Sequence, residues 1–382
     1  MLSLYTVNMK FKSLFSLVIC LLFAFAASSQ SSKIGKPKKV LSLNPGLDNP
    51  RNSEGDFIGL KDGTIMFVYS KYYGESTSDH APASLVARYS KDQGNTWSNE
   101  DRTIVKNEGE MNVMSVSLLR LQNGSIALFY LLKNSTEDCI PMMRISTDEA
   151  KTWSDPIKCI QDKKGYFVLN NDRVIQLKDG RLMMAVALHN VPGGEFVKKG
   201  DLYAYYSDDN GETWNSSGKV PNSTDIVTQE PGLIELEDGR VMMYIRASGG
   251  VQQLSFSLDR GESWSPIQSS NIPSPLSPAT IEKVPSTGDW LMVWNNNDGS
   301  DINLKGKRTP LTVAISNDEG ASWEYVKNIE NDPDGWYCYI AVYFIEKSEN
   351  TLLGYCAGDR PSGTGLSVTD ITKLNTDWIY EK

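Results

Sequence analysis

Histidine and positive charge are scarce in this chain. Among its 382 residues there are 2 histidines, and 38 Lys and Arg residues stand against 47 Asp and Glu residues, for a formal net charge of −9. An acidic chain without basic runs does not favour a nucleic-acid partner, and the lack of a basic amphipathic segment disfavours binding to an anionic membrane surface. The 5 cysteines are not spaced with histidines as metal ligands are, so we expect no zinc site.

Long hydrophobic runs are also missing, apart from one near the N-terminus. That run, Leu14–Ala26, follows Lys10 and Lys12 and is followed by small residues. It is too short to span a membrane comfortably, and the pattern is typical of a secretory signal peptide. We therefore predict a cleaved signal over residues 1–28, a short tether over 29–42, and a protein that is secreted or periplasmic, without membrane insertion.

Cysteine usage fits that destination. Removal of the signal leaves an even number of cysteines, namely Cys139, Cys159, Cys338 and Cys356. Even numbers are common where disulfides form in oxidising compartments. Cys338 and Cys356 lie almost symmetrically about a turn at Ser348, so a disulfide across two strands is compatible with the sequence, which does not fix the pairing.

The most informative feature present is a repeat of the form Ser-x-Asp-x-Gly-x-Thr/Ser-Trp. A Ser, an Asp acceptor and a Gly suit a turn that bonds to itself, and the Trp is large enough to pack between sheets. The repeats come at intervals of 50 to 61 residues, which suits one small antiparallel sheet per repeat. These boxes predict a propeller and have a structural role; they start at Ser90, Ser146, Ser207, Ser257 and Ser316.

A second repeat, out of phase with the first, gives the number of blades. Asp-Gly and Asn-Gly pairs accept the backbone of a type I′ turn, so each marks a tight hairpin. Four clear copies and two degenerate ones predict an all-β, six-bladed propeller of four-stranded antiparallel blades, filling residues 43–382 as one domain. The copies begin at Leu60, Leu121, Leu177 and Leu236, and the degenerate ones at Ser286 and Ser348.

The innermost strand of each blade lines the axis of a propeller, and one end of that axis is the default position for a site. The segments that precede the six hairpins are mostly polar, where a purely structural core would be apolar. We expect Glu54, Asp56, Asn171 and Tyr337 in these segments to bind substrate. The segments are Arg51–Asp56, Asn112–Ser115, Asn170–Arg173, Gln229–Gly232, Ser277–Thr280 and Tyr337–Ile340.

Taken together, the signal, the six blades, the boxes and the axial residues resemble the sialidase superfamily of exo-glycosidases over essentially the whole mature chain. Sialidases bind the substrate carboxylate with three arginines on separate blades. Arg51, Arg246 and Arg308 match these positions. A guanidinium offers a planar carboxylate fixed, bidentate geometry that lysine cannot reproduce.

The resemblance also implies the reacting groups. Tyr339 matches the family's tyrosine nucleophile, Glu230 the glutamate that activates it, and Asp79 the general acid on a loop of the first blade. A phenol is about three pKa units too weak an acid to ionise at neutral pH, so a nearby base is required. Partial burial should raise the pKa of Asp79. Tyr337 is the alternative nucleophile.

One departure concerns the sugar. The family usually has Arg-Ile-Pro where this chain has Arg51-Asn-Ser-Glu-Gly-Asp56, which adds acidic groups beside the first arginine. The expected function is a secreted, retaining exo-α-sialidase acting on sialylated or other keto-acid-sugar glycans as a monomer, without metal or organic cofactor. The alternatives are a hydrolase of a related ulosonic acid, a lyase that forms an anhydro sugar, and a non-catalytic carbohydrate-binding propeller.

Overall fold

The structure is a computed structural model, and it describes residues 35–381. The predicted signal peptide lies outside the described residues. Within these residues the chain first forms β1 (Lys38–Leu43) and then the blades in sequence order. Blade 1 consists of β2 (Asn52–Gly59), β3 (Ile65–Tyr72), β4 (Ala83–Ser90) and β5 (Arg102–Val105).

Blades 2 and 3 follow and are joined into one sheet by a single parallel pair, Tyr166 with Cys139. The inner edge of blade 3 is split into two short strands that both pair with the next one. Blade 2 consists of β6 (Asn112–Arg120), β7 (Ile126–Lys133), β8 (Cys139–Ser146) and β9 (Ile157–Lys158), and blade 3 of β10 (Tyr166–Val168), β11 (Ile175–Gln176), β12 (Leu182–Asn190), β13 (Asp201–Ser207) and β14 (Asn215–Ser216).

The remaining three blades are separate four-stranded sheets. Blade 4 consists of β15 (Thr228–Glu235), β16 (Val241–Ala247), β17 (Val251–Ser257) and β18 (Gln268–Pro273), blade 5 of β19 (Thr280–Lys283), β20 (Trp290–Asn295), β21 (Leu311–Ser316) and β22 (Glu324–Glu330), and blade 6 of β23 (Gly335–Phe344), β24 (Asn350–Asp359) and β25 (Thr369–Asn375), with β1 as its outer strand. The short helix α1 (Thr376–Tyr380) ends the described chain.

The first strand of the chain closes the ring. β1 pairs antiparallel with β25, so the sheet of blade 6 contains both an N-terminal and a C-terminal segment. This strand takes up residues 38–42 of the stretch that was predicted to be a tether. In residues 35–381 no helix is long and apolar enough to cross a membrane.

Each Ser-x-Asp box is the turn between the third and fourth strands of a blade. In the first box, Ser90 Oγ donates to Asp92 Oδ1 at 2.9 Å and accepts from Gly94 N at 2.8 Å. Thr96 binds the same Asp92 carboxylate through its backbone N at 2.9 Å and its Oγ1 at 2.7 Å. The other four boxes repeat this network. The predicted structural role of the boxes is confirmed.

The Asp-Gly hairpins lie where they were predicted, but the type I′ assignment was wrong. In the first hairpin Gly63 has φ +84°, whereas Asp62 is not left-handed. Gly63 N donates to Leu60 O at 2.9 Å, and Leu60 N donates to Thr64 O at 2.8 Å. The loop is thus longer than a two-residue turn, and only the glycine needs a positive φ.

The core lies between the blades and is built mainly from the second strand of each one. These strands are buried along nearly their whole length, because both of their faces meet a neighbouring sheet. Burial on both faces explains why they read as continuous apolar runs such as IALFYLL in β7. The rigid core fixes the inner strands, and these carry the site.

The four remaining cysteines are buried and free. Cys338 and Cys356 do face each other as partners in neighbouring strands, as the sequence suggested. They are thiols and not a disulfide in this structure. Burial opposes ionisation of Cys338, but the neighbouring Cys356 thiol and Arg308 guanidinium lower its pKa below the usual value.

Candidate active site

The inner segments of different blades contact one another around the axis. Asn171 Nδ2 in blade 3 donates to the carbonyls of Gly55 in blade 1 at 2.9 Å and Tyr339 in blade 6 at 3.1 Å. Thr280 Oγ1 in blade 5 donates to Ile340 O at 2.8 Å. Residues that are far apart in sequence are thereby fixed within one small region.

A cavity of about 300 Å³ opens at one end of these segments. Its size suits a single sugar unit better than an oligosaccharide. One part of its wall is strongly polar and the other is apolar and aromatic. The polar part includes Glu54, Asp79, Lys133, Asn170, Glu230, Arg246, Arg308 and Tyr339, and the apolar part includes Met114, Leu131, Tyr166, Val168 and Phe196.

One backbone feature recurs where inner strands face the cavity. Glu54, Ser115, Glu230 and Tyr339 all have positive φ, at 52°, 64°, 35° and 56°. Each lies at a register shift between the first and second strands of its blade. A bulge can re-aim a side chain, and positive φ is strained for residues other than glycine. Local strain in the backbone therefore accompanies the placement of these four side chains.

Tyr339 and Glu230 line the cavity and contact each other. Tyr339 Oη donates to Glu230 Oε1 at 3.5 Å, and Arg246 Nη1 lies 2.6 Å from Glu230 Oε2. Burial and the adjacent Glu230 carboxylate raise the pKa of Tyr339 well above its usual value. The phenol is therefore neutral at pH 7, with a carboxylate in position to accept its proton.

Arg308 lies beside the tyrosine with unused binding capacity. Its guanidinium carbon is 5.4 Å from the centre of the Tyr339 ring and 5.1 Å from that of Trp336. Arg308 is 7% exposed, and its buried Nη1 has no hydrogen-bond partner within residues 35–381. A buried cationic donor without a partner is suited to an anionic ligand, since leaving it unpaired is costly.

The third predicted arginine is placed differently. Arg51 is 1% exposed and does not itself line the cavity, because Asp79 covers it. Arg51 Nη1 donates to Asp79 Oδ1 and to Thr77 O, and Nη2 donates to Ser53 Oγ at 3.2 Å and lies 3.7 Å from Glu54 Oε1. An incoming carboxylate would have to compete with Asp79 for Arg51.

This pairing overturns the expected behaviour of Asp79. Partial burial does raise the pKa of its carboxyl, but the Arg51 guanidinium outweighs that effect and holds the pKa below the usual value. Glu54 shows the opposite result. Desolvation outweighs the attraction of Arg51 and raises the pKa of Glu54 to about 8, and its Oε2 has no partner within the described chain.

Three predicted site residues lie elsewhere. Asp56 accepts from the backbone N of Phe57 and of Leu118, both at 2.6 Å, and lines a cavity at the other end of the inner strands. Asn171 is buried in the carbonyl contacts described above and does not line the site. Tyr337 packs in the core, with its ring centre 6.3 Å from that of Tyr355.

Bulges account for two of these errors. The register shifts between Ser53 and Asp56 in β2, and between Cys338 and Ala341 in β23. In a regular strand, residues two positions apart point to the same face, so Asp56 would accompany Glu54 and Tyr337 would accompany Tyr339. The bulges break this alternation, and Asp56 and Tyr337 do not line the cavity. The alternative nucleophile Tyr337 lies in the core and does not line this cavity.

Tyr166, Phe196 and Lys133 were not singled out from the sequence but line the cavity, as does His189. His189 stacks on Phe196 with ring centres 5.2 Å apart, and burial lowers the pKa of its imidazole. Tyr166 meets the edge of Phe196 at 5.7 Å. Lys133 ends the apolar run of β7, and a lysine at such a position was the signal available in the sequence. Residues 35–381 contain no cluster of acidic, His and Cys side chains that could hold a metal ion.

The arrangement has the parts for acid–base and nucleophilic chemistry on an anionic ligand. Arg246 and Arg308 supply positive charge, Tyr339 and Glu230 place a phenol against a carboxylate, and Asp79 lines the same cavity from an exposed loop. Tyrosine is a known nucleophile for glycoside cleavage outside the usual carboxylate pair.

Comparison with protein families agrees with this geometry. A family model described as a BNR repeat-like domain matches residues 100–351, more than half of the chain. The match includes Glu230, Arg246, Arg308 and Tyr339 and begins after Asp79.

Known relatives are similar over much of the chain. A sialidase of Clostridium perfringens is 26% identical over 358 residues, covering 84% of each chain. A sialidase of Bacteroides fragilis is 28% identical over 242 residues, which cover 60% of this chain but only 41% of that protein. Among solved structures, a Hadza microbial sialidase superposes with a TM-score of 0.69 at 18% identity, covering 85% of this chain and 66% of the other, and this likeness concerns the fold.

Proposed function

Because the chain belongs to the sialidase superfamily of BNR-repeat proteins, we propose that it is an exo-α-sialidase that removes a terminal sialic acid from glycans with retention of configuration. The observation that carries the proposal is the contact of Tyr339 with Glu230, with Arg246 and Arg308 beside it in a cavity of about 300 Å³. Sequence similarity alone would not require this contact.

Binding depends on the substrate carboxylate. Arg308 offers a buried donor without a partner, and Arg246 lies beside Glu230. Arg51 becomes available only when the carboxylate displaces Asp79, because Asp79 occupies it in the free protein. The same displacement would remove the strongest influence that lowers the pKa of Asp79, so that Asp79 could hold a proton for the leaving group.

In the first step Tyr339 Oη attacks the anomeric carbon and gives its proton to Glu230. The bond from that carbon to the glycosidic oxygen breaks, and Asp79 protonates the departing oxygen. In the second step Asp79 takes a proton from water, the water oxygen attacks the anomeric carbon, and Tyr339 departs and recovers its proton from Glu230. Two displacements at one carbon restore the original configuration.

A neutral nucleophile suits this substrate. The raised pKa of Tyr339 keeps the phenol uncharged as the anionic sugar approaches, which avoids repulsion between like charges. No step draws on a metal or an organic cofactor. We further propose that the protein acts as a monomer on sialylated glycans after export from the cell, as the predicted signal peptide implies.

The test is proton NMR of N-acetylneuraminic acid release from 3′-sialyllactose by the purified protein. The proposal predicts that the α-anomer of the free acid appears first and then equilibrates to the β-anomer. Initial release of the β-anomer would contradict retention. An anhydro sugar would assign the chain to the alternative lyase reaction, and no turnover would exclude this substrate.

A further inference from the structure

The loop that carries Asp79 has few ties of its own. It connects β3 to β4 over residues 73–82, and residues 73–80 are exposed. Tyr73 N donates to Pro82 O at 3.0 Å, and Ala81 N donates to Ser78 O at 3.0 Å. These bonds close the loop but do not fix the direction in which Asp79 points.

Two side chains of the next blade hold this loop. Asn112 Nδ2 donates to Asp79 O at 2.9 Å and to Ala81 O at 2.8 Å. Lys133 Nζ donates to the same Asp79 O at 2.8 Å. Asn112 and Lys133 are direct partners across β6 and β7, so one rigid strand pair of blade 2 supplies both contacts.

Lys133 is costly to place there. It is 2% exposed, and its ammonium forms no salt bridge with any carboxylate of residues 35–381. Besides Asp79 O, it lies 3.2 Å from Met114 Sδ and 5.3 Å from the centre of the Tyr166 ring. Longer-range attraction to the Asp79 and Glu54 carboxyls offsets part of the cost of burying this charge, whereas an apolar residue would continue the run of β7 without that cost.

We propose that Asn112 and Lys133 are positioning residues that fix the loop over residues 73–82, so that the Asp79 carboxyl reaches the glycosidic oxygen. The inference rests on the proposed function, since it assigns them to the acid step of that reaction. Both residues act on Asp79 through its backbone carbonyl; Lys133 also lines the cavity, whereas Asn112 does not. Arg51 holds the Asp79 side chain in the free protein, and these two residues hold its backbone.

Comparing activity on substrates with good and poor leaving groups distinguishes this positioning role from a purely structural role. A sugar hydroxyl is a poor leaving group and needs a proton from the general acid, whereas 4-methylumbelliferone departs readily without one. General acids contribute roughly 10²- to 10⁴-fold in rate. A misplaced Asp79 should therefore affect 3′-sialyllactose strongly and the 4-methylumbelliferyl conjugate of N-acetylneuraminic acid weakly.

The variants are Lys133→Met, which nearly preserves the side-chain volume, and Asn112→Leu on the partner strand. We expect kcat/KM for 3′-sialyllactose to fall by about 10²-fold, and that for the umbelliferyl conjugate by less than about threefold. Asp79→Asn should show the same pattern. In an Asp79→Asn background Lys133→Met should cause little further loss, because coupled residues are not additive.

Lys71→Met is the matched control. Lys71 is the penultimate residue of β3, close to the loop, but its Nζ binds the Asp101 carboxylate at 2.6 Å and forms no hydrogen bond with a loop residue. Lys71→Met should leave the ratio of the kcat/KM values for the two substrates unchanged. Hydrogen exchange of the amides of residues 76–81 should be faster in Lys133→Met and Asn112→Leu than in Lys71→Met, which checks the loop independently of activity.

Equal losses on both substrates, or unchanged exchange in the loop, would overturn the positioning role. If Lys133→Met does not fold, Asn112→Leu provides the same test from the opposite strand. If the unmodified protein cleaves neither substrate, the proposed function itself fails, and the positioning role fails with it.

Discussion

The two ends of the propeller axis differ in how their buried polar groups are paired. At the Tyr339 end, Arg308 Nη1, Glu54 Oε2 and Asn170 Nδ2 are buried and have no partner within residues 35–381. At the other end, Asp56 accepts from two backbone N–H groups and Asp172 from one, that of Val342. The unpartnered groups at the Tyr339 end are suited to binding a ligand, whereas Asp56 and Asp172 at the other end are held by backbone N–H groups and have a structural role.

Cavity size alone would have pointed to the wrong end. The cavity around Asp56, Asp172 and Glu282 is about 500 Å³, against about 300 Å³ around Tyr339. Desolvation and repulsion from Asp172 raise the pKa of Glu282 to about 8, and desolvation raises the pKa of Asp172 to about 6. Both cavities thus contain acids with raised pKa values, but of the two only the Tyr339 end has a tyrosine hydroxyl that contacts a carboxylate paired with an arginine. The chemical composition of a cavity is thus a better guide than its volume.

The largest effect on activity is expected from a substitution at Tyr339, and the same substitution at Tyr337 in the same strand should have little effect. Tyr339→Phe should reduce kcat on the umbelliferyl conjugate by about 10³-fold or more, since loss of a nucleophile removes the covalent route. Tyr337→Phe is the control, because Tyr337 packs in the core away from the cavity. It should change kcat by less than about threefold. Steady-state kinetics of both variants, with thermal unfolding to check their folding, would decide; similar losses would contradict the assignment.

An effect of intermediate size is expected on the pH dependence of stability, through the buried Glu54. In the folded protein it keeps its proton up to about pH 8, whereas its ordinary pKa is 4.5. The folded state binds more protons between these values, so the free energy of unfolding falls as pH rises through this window. Glu54→Gln stays neutral and should escape this fall. Urea unfolding should give similar free energies of unfolding for Glu54→Gln and the unmodified protein at pH 4.5. At pH 8.5 the free energy of unfolding of Glu54→Gln should be higher by about 1 to 3 kcal/mol.

The exposed Glu324→Gln is the matched control for that comparison, because its carboxylate lies at the surface. It should leave the pH dependence unchanged. An identical fall in stability for Glu54→Gln and the unmodified protein would show that Glu54 is not protonated at neutral pH.

The smallest effect on catalysis is expected at the far end of the axis. Asp56→Asn keeps the size of the side chain but replaces one acceptor oxygen with a donor that faces a backbone N–H. Stability should fall by about 1 kcal/mol, as is usual for a broken buried hydrogen bond, while kcat/KM should stay within about twofold. A large loss of activity at unchanged stability would mean that the two ends do not have separate roles.

The sequence predicted the fold correctly where a recurring motif forms its own local hydrogen bonds. The Ser90 box and its copies specify a turn through their own side chains, so they located the blades without knowledge of the tertiary structure. The resemblance to sialidases then located Glu230, Arg246, Arg308 and Tyr339, all of which line one cavity.

Prediction from the sequence failed where the backbone departs from regular alternation or where the partner is distant in sequence. The bulges around Glu54 and Tyr339 could not be read from the residues, and they misplaced Asp56 and Tyr337. Lys133 was missed because its partner is a carbonyl in another blade. The lowered pKa of Asp79 likewise depends on Arg51, which lies 28 residues away in sequence.

The most direct test of the account is to trap the covalent intermediate. A 2,3-difluoro analogue of N-acetylneuraminic acid should form an adduct with the protein that mass spectrometry of peptides can locate. The account predicts an adduct on Tyr339 and none in Tyr339→Phe. An adduct on another residue, or turnover of 3′-sialyllactose with no adduct on any residue, would contradict the central claim that Tyr339 is the nucleophile of this site.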